Sequence, residues 1–102
     1  MINVLIIHPD DDVVMATHPL DPGTPLDLGE GHPRLNVTTV DAIPFGHKIA
    51  LRAISTGQHV IKYGASIGVA SQDILPGQHV HSHNLASVRG KAREKAPEES
   101  AL

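Results

Sequence analysis

The chain has 102 residues, a formal net charge of −3, eight histidines and no cysteine. One Phe, one Tyr and no Trp leave a thin core to be built from Val, Ile, Leu and Ala, enough for one small domain. Disulfides, thiolate metal sites and a cysteine nucleophile are excluded, and the weakly acidic balance gives no electrostatic footprint for nucleic acid or an anionic membrane.

In chain order, short stretches rich in β-branched residues alternate with Pro and Gly. Residues 3–7, 13–17, 35–40, 48–53, 59–63, 67–70 and 79–83 read as strands, which predicts an all-β domain over 1–88. The longest aliphatic run, Val4-Leu5-Ile6-Ile7, is too short to span a bilayer, and a cytoplasmic location is the default expectation. The run His8-Pro9-Asp10-Asp11-Asp12 lacks the spaced oxygen ligands and the glycine of a calcium loop, and reads as a solvated turn. His18-Pro19 and His32-Pro33 sit in Pro-rich loops and read as exposed. Residues 85–95 could form a small helix interrupted by Gly90, and 89–102 read as a charged tail.

Three segments repeat one pattern, Ala-x3-(Leu/Ile)-x2-Gly-x2-(Leu/Val), starting at Ala16, Ala50 and Ala70. The expected unit is a strand ending at a small Ala, then a turn that buries one Leu or Ile. A Gly with positive φ and a second strand complete it.

The repeat also frames the histidines. Gly57-Gln-His-Val60 and Gly77-Gln-His-Val80 are the same four residues, after which His81-Ser82-His83-Asn84 replaces Ile61-Lys62-Tyr63-Gly64. On a strand, His79, His81 and His83 share a face. His79 recurs as His59 and is assigned to the architecture of the repeat, while His81 and His83 depart from it. Two histidines at i and i+2 can bind one divalent metal, though a solvent-facing polar strand is the plainer reading. In Gly46-His47-Lys48, His47 could be a third imidazole or a proton-transfer group, and Lys48 could meet a substrate carboxylate; an exposed turn is the alternative. Asn84 could bind a substrate hydroxyl, fix a histidine tautomer or simply end a strand. Tyr63 and Phe45 read as core or rim packing residues.

The unit from Ala70 to Gly77 resembles the SAF domain, a β-clip fold related to type III antifreeze protein. From Ile43 to Asn84 the resemblance narrows: Ile43-Pro-Phe-Gly-His-Lys-Ile-Ala-Leu51, Ile61-Lys-Tyr-Gly64, Ile67-Gly-Val-Ala70 and His79-Val-His-Ser-His-Asn84 resemble the N-terminal domain of the altronate and galactarate dehydratases. The same domain occurs as a separate small subunit, as in sulfolactate sulfo-lyase. The resemblance implies a lyase subunit that is inactive without a large catalytic partner and acts on a sugar acid or a sulfo-acid. It also implies catalytic roles for His47 and Lys48, substrate contact by Asn84, and a divalent metal (iron, manganese or zinc) on His81 and His83. Homo-oligomerisation is compatible with it. A non-catalytic carbohydrate- or protein-binding module is the reading from a different class.

Overall fold

Seven short strands and no helix make up residues 2–87, the part of the chain that the computed structural model describes. They are β1 (Val4–Leu5), β2 (Val13–Ala16), β3 (Lys48–Ala50), β4 (His59–Lys62), β5 (Ala65–Ala70), β6 (His79–Val80) and β7 (Leu85–Ala86). Every pairing is antiparallel, in a sheet of order β1-β2-β3-β6 and a second of order β4-β5-β7. The all-β expectation therefore holds, with strands shorter than expected because Pro or Gly interrupts them every few residues.

Three expectations fail locally. Residues 35–40 form no strand: Asn36 has φ +58°, which breaks the pleat, and only a single bridge joins Thr38 to Pro25. Strand β6 stops at Val80, so His81 to Asn84 form a turn rather than the end of a strand. Leu85 and Ala86 are not helical but pair with Ala70 and Val69 of β5; the rest of that expected helix and the tail lie outside the described residues.

The first sheet is buried on both faces. Directly opposite residues in an antiparallel pair share a face, so Val14 and Ile49 point one way while Val13 and Ala50 point the other. Val14 and Ile49 join Val4, Leu20, Leu26, Leu28 and Ile43 in one apolar cluster. Val13 and Ala50 join Ile54, Val60, Ala70, Ile74 and Val80 in the other, against the second sheet. Double burial explains why Val13-Val14-Met15-Ala16 is a continuous apolar run rather than an alternating one. Tyr63 and Phe45 are in neither cluster and both are exposed, so neither is a core packing residue.

The repeat has four copies, not three. Thr39-Val-Asp-Ala-Ile43-Pro-Phe-Gly46-His-Lys-Ile49 keeps the spacing, with Thr in place of Ala and Ile in place of the final Leu or Val. The copies bind in reciprocal pairs. The Gly57 N–H donates to the Ala70 carbonyl and the Gly77 N–H to the Ala50 carbonyl, while Ile54 and Ile74 exchange two backbone hydrogen bonds. The first two copies do the same: Gly23 N–H to Thr39, Gly46 N–H to Ala16, and a double exchange between Leu20 and Ile43. Each pair is a two-fold clasp closing one apolar cluster. The shared glutamines close the turns, since Gln58 Oε1 accepts the Ser55 N–H and Gln78 Oε1 accepts the Leu75 N–H.

The acidic run is, as expected, a turn between β1 and β2 with Pro9 and Asp10 exposed, but its last two carboxylates are not solvated. Asp11 is only 1% exposed, and its carboxylate accepts the N–H groups of His8 and Gly64. Asp12 accepts the Ile61 N–H and pairs with Arg52 at 3.2 Å. These carboxylates tie the entry of β2 to the β4–β5 hairpin.

Candidate functional site

The pairing of β3 with β6 assembles the histidines. Ile49 lies opposite His79 and Lys48 opposite Val80, so His79 falls on the Val14–Ile49 face. One step further along that register, His47 faces His81. Their rings stack with centroids 4.3 Å apart and planes 15° apart. His79 stacks on both, at 5.0 Å from His47 and 5.6 Å from His81, and His47 Nδ1 shares a proton with His79 Nε2 at 2.8 Å. The ring of His83 follows from the turn, 5.3 Å from His79 and tilted by 41°.

The turn that carries His81 and His83 is built by Asn84. Its Oδ1 accepts the His81 N–H and its Nδ2 donates to the His79 carbonyl, with the side chain buried. Both ends of the amide thus bond backbone, which makes Asn84 the turn's organiser. Asp41 supports the other side, its Oδ2 accepting the His79 N–H. Burial, and after it the nearby rings of His47, His83 and His81, hold the His79 imidazole below the usual histidine range; Asp41 opposes this. His79 is therefore neutral near pH 7, the form that offers a lone pair to a metal.

Three of the four imidazoles are grouped closely enough that they could hold a metal ion. Donor atoms of His47, His79 and His81 all lie within 4.8 Å of one another. Nitrogens around a tetrahedral ion with bonds of about 2.1 Å are separated by roughly 3.4 Å, so to bind one ion the stacked rings must tilt until their lone pairs converge. An all-nitrogen donor set suits zinc or iron better than manganese, which favours oxygen.

The arrangement redistributes the sequence-derived residues. His81 belongs to the metal-competent group and His47 supplies the expected third imidazole. His79 joins them although the repeat had assigned it to architecture, and His83 stands beside the group rather than in it. His59, the counterpart of His79, bonds Ser66 Oγ at 2.8 Å and takes no part. Lys48 points to the opposite face of the sheet, with Met15 and Val80. The signal that would have found His79 is the fourth copy of the repeat, which makes the Gly46 and Gly77 turns equivalent and leads β3 and β6 into the same sheet. Two concavities, about 920 and 440 Å³, lie elsewhere, along the 25–35 loop, and none of the four clustered histidines lines either.

Comparison with known proteins gives a consistent set. The altronate/galactarate dehydratase SAF domain family matches residues 2–88. The altronate dehydratase of Bacillus subtilis strain 168 is 40% identical over 78 residues, 76% of this chain but 15% of that protein. The (2R)-sulfolactate sulfo-lyase subunit alpha of Chromohalobacter salexigens is 49% identical over 49 residues, 48% of this chain and 52% of that one. The protein of the same description from Paracoccus pantotrophus is 49% identical over 47 residues, 46% of this chain and 70% of that one. The matched segment thus spans a small part of the altronate dehydratase and about half of the first sulfo-lyase subunit.

Proposed function

This chain belongs to the altronate/galactarate dehydratase SAF domain family, and from that premise we propose that it is the small subunit of a cytoplasmic carbon–oxygen lyase that dehydrates a sugar acid with a separate large subunit. The observation that carries the reading is the convergence of His47, His79 and His81, with donor atoms within 4.8 Å, on one sheet face of a domain shared with such enzymes.

Dehydration of a hydroxy acid requires removal of the proton next to the carboxylate, stabilisation of the resulting ene-diolate and assistance to the departing hydroxyl. A divalent ion held by His47, His79 and His81 would supply Lewis acidity to that charge. The chain's own contribution is to present the imidazoles. His79 is kept neutral by burial and its neighbours, His81 is exposed at the rim, and Asn84 and Asp41 fix the backbone beneath them. Without an ion, His47 Nδ1 and His79 Nε2 are joined by one hydrogen bond of 2.8 Å, whose proton an ion on both nitrogens would displace. The base and most substrate contacts belong to the large subunit in this reading.

A second reading keeps the chemistry and changes the leaving group to sulfite. It is favoured by the higher identity and the larger matched share of the sulfo-lyase alpha subunits. Reconstitution with large subunits of altronate dehydratase and sulfolactate sulfo-lyase type, assayed on altronate, galactarate and sulfolactate, separates the two. Activity is expected only with this chain present, and to fall about 100-fold when His79 and His81 are both changed to Ala. Stoichiometric zinc or iron on the isolated chain, lost in that variant, is the accompanying result. Full activity without the chain, or in the double variant, overturns the reading.

A further inference from the structure

The smaller concavity and the acidic run, neither used by the histidines, meet through two side chains, His8 and Arg52. The cleft holds about 440 Å³, within the ~300–1,000 Å³ of small-molecule clefts. Its wall is largely aliphatic and includes Ile7, Leu28, Leu35 and Leu51. Leu35 and Leu51 pack against the first apolar cluster while staying only partly buried, and Ile7 is 53% exposed. Aliphatic surface left open in a concavity favours the entry of an apolar body.

His8 and Arg52 line the same cleft and are both set in place by the acidic run. Arg52 Nε pairs with Asp12 Oδ1 at 3.2 Å, and Arg52 Nη2 donates to the Asp11 carbonyl at 3.1 Å. These bonds occupy the Nε–Nη2 edge of the guanidinium. The adjoining edge, Nη1 with the second hydrogen of Nη2, carries the two parallel N–H donors that a carboxylate accepts. The His8 N–H donates to Asp11 Oδ2 at 3.2 Å, and its Nδ1 accepts the Asp10 N–H at 3.1 Å. A ring nitrogen that accepts carries no proton, so the neutral imidazole has its hydrogen on Nε2, a third donor. Among the described residues, no Asp or Glu lines this cleft, whereas the larger concavity includes Asp27 and Glu30.

We propose that this cleft binds a small monocarboxylic acid with an aliphatic body. The carboxylate pairs with the Nη1–Nη2 edge of Arg52, His8 Nε2 adds a donor, and the body lies on Ile7, Leu28, Leu35 and Leu51. Asp12 holds the guanidinium in position from its other edge, so the donors are oriented before the ligand arrives. Asp10, its side chain 84% exposed and 4.0 Å from His8 Nδ1, opposes the anion only weakly at that exposure. A sugar acid is excluded, because its hydroxyls would exchange water for an aliphatic wall. The site is therefore separate from the lyase reading and stands or falls without it.

The test titrates the isotope-labelled full chain with sodium hexanoate and follows it by NMR. Hexan-1-ol supplies the body without the carboxylate, and galactarate the carboxylates without the body. Hexanoate is expected to move the Ile7, Leu35 and Leu51 methyl signals together on one saturable curve, with the His79 and His81 rings unmoved. It should bind about tenfold or more tightly than either control. Arg52→Gln should weaken hexanoate about tenfold or more, as the loss of a charge-assisted pair does, and leave hexan-1-ol unchanged. Because Arg52 also bonds Asp12, Ile7→Ser at an exposed position gives an independent reading, with hexanoate weakened about threefold or more. No saturable shift below roughly 10 mM overturns the site, as do shifts confined to the histidine face. A folded Arg52→Gln variant that binds hexanoate as before overturns it too. Hexan-1-ol binding as tightly as hexanoate overturns the carboxylate assignment, and galactarate doing so overturns the aliphatic one.

Discussion

Asp11 shows how one side chain can hold a distant hairpin. Burial alone would push its carboxyl upward, but the backbone N–H groups of Gly64, Tyr63 and His8 that it accepts outweigh burial and hold it below the usual aspartate range. A folded value below the unfolded one, about 3.8–3.9, stabilises the protein above that pH. That contribution disappears as pH falls through the folded value. Asp11→Asn replaces an acceptor with an amide whose own N–H groups meet donors, and is expected to cost about 2–3 kcal/mol at pH 7. Urea unfolding at pH 7 and pH 3 checks this: the deficit should shrink in acid, and an equal deficit at both values would contradict it. The same residue was misread from sequence, because three consecutive aspartates beside a proline look solvated until the hairpin that covers them is known. His79 was misread for a related reason. Its recurrence as His59 says only that the turn repeats, and whether the imidazole meets other rings depends on which strand lies alongside.

At the scale of the turn and strand, the glycines of the repeat are equivalent in conformation and unequal in surroundings. Gly57 and Gly77 have φ of +89° and +88°, yet a Cβ on Gly57 would meet nothing within 4 Å while one on Gly77 would lie 2.1 Å from the Thr38 carbonyl oxygen. Gly57→Ala is therefore expected to cost about 1–2 kcal/mol, the left-handed penalty alone. Gly77→Ala should add roughly 1–3 kcal/mol for displacing backbone. Thermal denaturation of the two variants measures the difference, and equal losses would mean that the 38–40 segment yields freely. That glycine is required at these turns was readable in the repeat. That 35–40 crosses over Gly77 as irregular chain was not, since its β-branched residues favour a strand and only Asn36 and the packing beneath prevent one.

For the whole molecule, two clasps close two clusters on either side of one sheet. Ile54→Ala and Ile74→Ala should each cost about 2–5 kcal/mol, as large-to-small changes in a packed core do. They share one bridge and one cluster, so the double variant should lose less than their sum. Ile43 lies in the other cluster, and Ile43→Ala with Ile54→Ala should add within about 0.5 kcal/mol. Chemical denaturation of the single and double variants gives the coupling energies. Equal coupling in both pairs would show that the halves do not pack separately.

What the sequence determined by itself was local and periodic. It set short strands punctuated by Pro and Gly, buried aliphatic corners before left-handed glycines, and a histidine-rich segment where one copy of the repeat departs from another. These follow from the conformational limits of single residues and from side-chain spacing along one strand, which need no knowledge of neighbours. Only the tertiary structure decided that β3 and β6 pair. That register brings His47, thirty-two positions from His79, into hydrogen-bonding reach of it and turns Lys48 to the opposite face with Val80. Which side chains meet across a sheet is set by register, and here register comes from long-range apolar burial that no short stretch of sequence encodes.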